Sequence, residues 1–486
     1  MTISITIGAI MGAAMGGTEV TPDLSARLEA AEARIAELSA NQDADWMTEQ
    51  RSEQIRGLVQ DVLSDADTRA SLQGDGSTSG YNDGFYIQSA DGKWSMKING
   101  LFQERFTVGS GRNGVNLGAG QDGNANNYTT AFGFETTRAA LNFSGSLAGD
   151  IYYNARLDWS PYNNGAAAGS RGGGGISNNP LEWAYGGFSL NDNMKLQMGR
   201  QKMEVQRAFI VNAENQLGIE RGIGTYYWYT SSLTNGVKLL YDNNNIRGNV
   251  MFSNGSNVNV ANPPGGLSGS WQDNNHGWGV TGRAEVLFQG DWSQFDQTMG
   301  STRGAAMGIM GGLGAGYIKS QDRSTFAAGS DVANNWLISA DVNIAADGWS
   351  LMASGTYGQN RPLAGTGTAV TPAGPVAENE NSFGFEVLGG YWLGDADQVY
   401  GSWQYLYPGA VQGLTSSRLN MITLGWNHHM GGNVKLSVDW AWNFSDPHTT
   451  LATGGTAHGY SGWWGGGAGQ TSGSQWMLRS QLQVSF

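Results

Sequence analysis

The feature that most constrains this chain is a change of hydrophobic period. From Gly84 to Phe486 apolar and polar side chains alternate with a period of two, which marks strands with two unlike faces. In "NNWLISADVNI", Trp336, Ile338, Ala340, Val342 and Ile344 alternate with Asn335, Leu337, Ser339, Asp341 and Asn343. In "NVKLSVDWAW", Val434, Leu436, Val438, Trp440 and Trp442 alternate with Lys435, Ser437, Asp439 and Ala441. The pattern runs into the last residue, where Leu482, Val484 and Phe486 alternate with Gln481, Gln483 and Ser485.

The alternation predicts 16 strands, at 93–107, 131–146, 149–160, 181–190, 193–201, 235–242, 245–254, 277–289, 304–319, 333–345, 348–358, 382–393, 397–407, 417–428, 433–444 and 474–486. Two of them, 181–190 and 304–319, have a poor pattern. The second is mostly Gly, Ala and Met, and reads as a flat surface packed against a neighbouring subunit. Short turns near 147–150, 190–193 and 393–398 alternate with long Gly- and Asn-rich stretches at 109–130, 161–179, 255–276, 359–381 and 446–473. Short connections at one end and long ones at the other are the layout of an outer-membrane barrel. The fold class expected is therefore all-β, a 16-stranded antiparallel transmembrane barrel.

A soluble barrel has the same alternation with the faces reversed, so size and aromatics must decide. A closed sheet of about 16 strands is too wide for side chains to fill. A polar face carrying Lys97, Arg105, Arg138, Arg156, Asp158, Lys435, Asp439 and Arg479 suits a watery lumen. Asn154 and Glu386 fall on that face too. The chain holds 18 Trp and 18 Tyr, many at strand ends, as at Trp94, Trp159, Trp278, Trp349, Tyr357, Trp392, Tyr407, Trp426, Trp442 and Trp476. Such girdles belong at membrane interfaces. At 486 residues a soluble sandwich would need several domains, and no linker or repeat divides the chain after Gly84. One residue resists: if Phe102 and Phe106 face lipid, so does Glu104. A bulge, a subunit contact or another phase would resolve it.

Before the barrel the period is helical. "MTISITIGAIMGAAMGG" is too short to span a membrane as a helix, and its small-residue end resembles a secretory cleavage region. Residues 1–17 read as a truncated signal peptide whose true start lies upstream. Residues 18–73 read as a periplasmic helical arm. Within it Leu28 and Ile35 take heptad position a, and Leu24, Ala31 and Leu38 take d, so a coiled coil joining chains is expected. Arg27 and Glu32 fall at g and the following e. A single amphipathic helix packed on its own domain is the alternative. Residues 74–92 read as a linker, and 93–486 as the barrel.

Several chemistries are excluded. A net charge of −14 argues against nucleic acid as a partner. The five histidines, His276, His428, His429, His448 and His458, follow no metal-binding spacing. No nucleophile elbow or phosphate loop occurs, so no enzyme and no cofactor is expected. The Asp- and Asn-rich loops leave Ca²⁺ open, although no single loop offers a ligand series.

"FETTRAALNFSGSLAGDIYYNARLDW", "GRQKMEVQRAFIVNAENQLGIERG", "DADTRASL" and the terminal Phe486 together resemble the phosphate-selective porin O and P family, in its branch with an N-terminal coiled coil. The resemblance covers the chain from about residue 65. It implies trimers of 16-stranded barrels in the bacterial outer membrane, with a third long loop folded into the lumen. On this chain that loop corresponds to 199–222. Its Arg200, Lys202, Glu204, Arg207, Glu214, Glu220 and Arg221 are the candidate constriction residues, and solvated loop charges outside the barrel are the alternative. Phe209, Ala213 and Leu217, four apart, suggest a short helix there. Phosphate selectivity does not carry over, because carboxylates interleave with the basic residues. The function implied is passive diffusion of small hydrophilic solutes and ions. A structural role remains open, tethering the envelope to peptidoglycan through the helical arm. The resemblance also gives Phe486 a role, as a C-terminal signal for the assembly machinery that inserts the barrel into the bilayer.

Overall fold

The computed structural model describes residues 29–34, 36–37, 53, 56–57, 77–110, 130–160, 180–222, 225, 233–255, 278–296, 299–321, 332–360, 380–407, 418–445 and 475–486. Two compact units divide at Gly76 and Ser77. In the first unit, residues 29–34 and 36–37 are helical. The signal-peptide reading, the heptad positions Leu24, Leu28, Ile35 and Leu38, and the long-loop Ca²⁺ reading lie outside the described residues.

The second unit is one sheet. Two short strands, β1 (Thr78–Tyr81) and β2 (Phe85–Gln88), form a hairpin within the stretch read as a linker. The barrel strands follow: β3 (Ser95–Ser110), β4 (Thr130–Leu147), β5 (Ile151–Asp158), β6 (Leu181–Asn191), β7 (Met194–Lys202), β8 (Leu233–Asp242), β9 (Ile246–Ser253), β10 (Trp278–Gln289), β11 (Gly308–Gln321), β12 (Val332–Ala346), β13 (Trp349–Asn360), β14 (Glu380–Trp392), β15 (Asp397–Tyr407), β16 (Leu419–His429), β17 (Val434–Asn443) and β18 (Gln475–Ser485). Each pairs antiparallel with the next, and β18 returns to β3. The result is a 16-stranded antiparallel barrel. An open edge would leave backbone groups unpaired in lipid at several kcal/mol each, so closure is the condition for the fold to exist there.

The seam shows how closure is completed. β18 covers β3 from Leu101 to Ser110, and Phe486 extends this by exchanging backbone bonds with Gly100 at 2.9 and 3.1 Å. Below that point β2 takes over and pairs with Ser95–Ile98. The hairpin thus covers the edge of β3 that β18 is too short to reach. Phe85 meets the Phe486 ring edge-on at 5.8 Å, and Asn433 donates to the Tyr81 hydroxyl at 2.8 Å.

The two faces divide by chemistry. Along β17, Lys435, Ser437, Asp439, Ala441 and Asn443 are buried on the inner face, while Val434, Leu436, Val438, Trp440 and Trp442 are half-buried on the outer one. Outer aromatics meet across strands at the long-loop end, with Trp278 against Tyr317, Trp336 against Tyr357 and Phe383 against Tyr407. Trp392 differs: it stacks on His429 and donates to Ser301 O at the opposite end of the barrel.

Glu104 does face outward, and a bulge supplies its partner. Gln103 pairs with Arg138, but Glu104 pairs with Thr136, so Thr137 is the extra residue of β4. Arg138 and Phe134 share a parity, so without the bulge both would point the same way. With it, Arg138 is buried inside while Phe132 and Phe134 are exposed outside. Thr136 also moves outward, and its Oγ1 donates to Glu104 at 2.7 Å.

β11 is a second departure. Strand pairing begins at Gly308 rather than 304, and Gly308, Gly314 and Gly316 are buried on the inner face. The flatness inferred from composition therefore serves the lumen. A Cβ on Gly312 would lie 2.0 Å from Arg283 Nη2, and one on Gly314 would lie 2.2 Å from Val205 O.

Candidate functional site

The β7–β8 connection leaves the wall at Met203 and crosses the lumen. Its residues 203–222 form no continuous helix. A single turn at Arg207–Ile210 and a 3-10 turn at Ala213–Asn215 are separated by extended backbone at Val211. Side chains satisfy the carbonyls that a longer helix would have used. Arg221 donates to Ala208 O and Val211 O at 2.9 and 2.7 Å, Gln216 donates to Val211 O at 2.9 Å, and Lys202 donates to Ile210 O at 3.0 Å.

The segment is anchored on many strands. Val205 O accepts from Arg283 Nη1 on β10 at 3.1 Å, and Val205 is fully buried in a cluster with Leu337, Leu406 and Met421. Glu214 accepts from Arg156 on β5 at 3.0 Å. Lys435 on β17 donates to Gln216 O at 3.1 Å, and Asn427 on β16 donates to Leu217 O at 2.8 Å. Tyr400 on β15 accepts from Ile219 N at 3.2 Å and donates to Asp439 at 2.9 Å. Glu220 receives Arg105 at 2.6 Å and Arg138 at 2.7 and 3.0 Å. Burial alone would raise the Glu220 carboxyl, but the Arg138 and Arg105 charges outweigh it and hold it at about 2.

The other candidate residues sit as follows. Arg200 and Lys202 belong to the end of β7 rather than to the loop, and Arg200 donates to Glu182 O at 2.9 Å. Glu204 accepts from Lys238 at 2.8 Å and from Asn249 at 3.0 Å. Arg207 is 1% exposed, lies 3.8 Å from Glu285 and donates to Phe295 O; burial brings its guanidinium down to about 10. Arg105, Arg138, Arg156, Asp158, Lys435, Asp439 and Arg479 are buried on the inner face. Lys97 is half-buried and lines a cavity of about 580 Å³ with Asn99, Arg156, Trp183 and Glu214. A second cavity, about 400 Å³, lies between Glu214–Leu217, the β10–β11 connection at Ser293, Gln294 and Ser301, and the ends of β14 to β17. Among the described residues no group of His, Asp or Glu is placed to hold a metal ion.

Two parts of the lumen escape the sequence reading. Arg283 clamps Asp341 through two bonds at 2.7 and 2.9 Å and also holds Glu285 at 2.8 Å. Thr281, Arg283 and Glu285 share a parity in "VTGRAEV", which would have placed all three inside. The β10–β11 turn also enters the lumen, and nothing in its sequence separates the buried Phe295 and Met299 from Trp292 and Met307.

Comparison with known proteins places this geometry. Residues 111–275 match the family of phosphate-selective porin O and P. No curated protein matches the chain. Among solved structures, the anion-selective porin from Comamonas acidovorans is 13% identical with a TM-score of 0.51, covering 81% of this chain and 100% of that one. OmpF of Salmonella typhi is 16% identical with a TM-score of 0.49, covering 84% and 100%. OmpT of Vibrio cholerae is 9% identical with a TM-score of 0.49, covering 81% and 98%. A family match across the segment that feeds the inward loop, on a closed 16-stranded sheet with a polar interior, makes this chain a bacterial outer-membrane porin, a non-enzymatic channel through which small solutes diffuse.

Proposed function

We propose that the pore is a narrow, weakly charge-selective diffusion channel whose constriction is the 203–222 loop. The observation that carries this reading is the pairing of charge in the lumen. Arg105 and Arg138 meet Glu220, Arg156 meets Glu182 and Glu214, and Lys238 meets Glu204. Arg283 meets Asp341, Arg247 meets Glu285, and Arg479 meets Asp439. Selectivity rings work by an excess of one sign. Here each of these cations has a carboxylate within 4 Å, so among these pairs neither sign is in excess.

Arg200, Lys202, Glu204, Arg207, Glu214, Glu220 and Arg221 are the constriction set in this reading, with Glu220 fixing the loop to β3 and β4 and Glu214 fixing it to β5. The barrels assemble as trimers. The 18–73 arm extends into the periplasm as a coiled coil that reinforces them, and Phe486 is the assembly signal. A reversal potential measured across a KCl gradient tests the central reading. It should lie close to zero. A strong anion preference would show that Arg105, Arg138 and Arg156 act unneutralised. Trimers that persist after deletion of residues 21–41 would show that the arm is dispensable for assembly.

A further inference from the structure

At the short-turn end of the barrel, six connections are made within two to four residues: 148–150, 192–193, 243–245, 347–348, 393–396 and 430–433. The connection between β10 and β11 is different. It runs from 290 to 307, and its two described stretches, 290–296 and 299–307, go inward before returning to the rim.

Its first leg is fixed at the rim. Asp291 caps a 3-10 turn at Trp292–Gln294 by accepting from Ser293 N at 2.8 Å, and Gln294 returns a bond from Asp291 N at 2.9 Å. Trp292 donates to Asn243 O at 3.0 Å, and the Arg247 guanidinium lies 4.2 Å above its ring. Phe295 is then 3% exposed, packed with Leu287, Met310 and Ala345 on the inner faces of β10, β11 and β12. Its carbonyl accepts from Arg207 of the loop.

The second leg reaches further. Met299 is 6% exposed in one cluster with Ala208, Val211 and Leu217 of the loop and Met352, Leu388 and Tyr400 of the wall. It also borders a gap of about 20 Å³ shared with Ala208, Glu220, Glu386 and Arg479. A gap of that size holds about one water. Ser301 O accepts from Trp392, and Thr302 O accepts from Gly348 N at 3.0 Å, which brings the chain back to the rim.

We infer that the β10–β11 turn is a second constriction element: it supports the 207–217 stretch from the short-turn side and closes the gap between that stretch and the β13–β15 wall. Arg207 and Met299 are the positioning residues that join the two segments. The wall does not depend on them, since β10 and β11 pair residue by residue from Trp278 to Leu287 without the turn. The inference rests on the porin reading and adds to it a part that acts on aperture.

Two variants test it in planar bilayers. One replaces 291–306 by a tight two-residue turn, and the other is the double substitution Phe295→Ala, Met299→Ala, which keeps the full turn should the shortened chain not fold. Folded barrel is verified for each by its resistance to unfolding in detergent without heating. Either variant should conduct roughly twofold or more above wild type, because the gap it opens adds a polar-walled path. Larger neutral sugars should also enter liposomes that carry it. Conductance and size limit equal to a conducting wild type would overturn the inference and leave the porin reading standing. A silent wild type with a conducting variant would support the inference in its strongest form, and silence in all of them would overturn both.

Discussion

Glu220 sits between two guanidiniums of the barrel wall, those of Arg105 and Arg138. Arg138 holds both of its carboxylate oxygens, at 2.7 and 3.0 Å, from β4. Arg105, fully buried on the neighbouring strand, holds one at 2.6 Å. The carboxylate arrives on a loop and the cations on the wall, so this contact is one of the anchors that hold the loop in place. Glu220→Gln keeps the shape and removes the charge. Loss of the charge-assisted bonds should weaken the anchor by about 1–3 kcal/mol. The reversal potential should shift toward anion preference and the conductance should rise. Unchanged selectivity would mean that the two arginines do not face the permeating ions.

The same pair predicts a pH dependence. The Glu220 carboxyl starts from 4.5 and is held at about 2 in the folded protein. A lowered folded value means that its stabilising contribution is complete above about 4.5 and is lost as pH falls through about 2. The difference in unfolding midpoint between wild type and Glu220→Gln should thus be constant above about pH 5 and shrink below 4.5. A difference that stays constant down to pH 2 would contradict the assignment.

Gly314 offers a way to move the loop without touching a charge. A Cβ there would lie 2.2 Å from Val205 O and 3.0 Å from Val205 Cα, and both are backbone atoms that cannot swing aside. Gly314→Val should leave β11 paired, since Gly314 sits opposite Ser339 in regular register. It should push Val205 off the wall, break the bond from Arg283 and raise conductance. Gly355→Val is the control, because nothing lies within 4 Å of a Cβ at Gly355. Equal conductance in the two variants would contradict the predicted role of the Val205 contact.

Phe486 is expected to matter for assembly more than for permeation. It completes the seam through its two bonds to Gly100, and a Cβ on Gly100 would fall 2.2 Å from its ring. Phe486→Ser should lower the amount of folded barrel in the outer membrane several-fold. The few assembled channels should keep wild-type conductance. Normal yield with altered conductance would reverse this assignment.

What the sequence reveals follows from which physical signal each part leaves. The barrel strands are legible because lipid and water impose opposite demands on alternate residues, as along Val434–Asn443. Even the conflict at Glu104 is visible, with a bulge among its three resolutions, and the parity shared by Phe132, Phe134 and Arg138 is the signal that singles the bulge out. The inward glycines of β11 mislead, since composition shows that a surface is flat and not which side it faces. The loop is legible as a charged segment, but its partners are not. Glu220 meets Arg105 and Glu214 meets Arg156 across separations that no local pattern encodes. The β10–β11 turn leaves the weakest trace, because "GDWSQFDQTMGSTRGAAM" has the polarity of an ordinary rim connection, and nothing in it separates the buried Phe295 and Met299 from Trp292 and Met307.

The central claim is that this chain conducts through a lumen narrowed by the 203–222 loop. Single-channel recording of the purified wild-type protein in planar bilayers tests it most directly. The account predicts stepwise insertion events of small, uniform conductance, with a further rise when Glu220 is replaced by Gln. Protein that inserts as folded barrel and passes no ions, before or after that substitution, would contradict it.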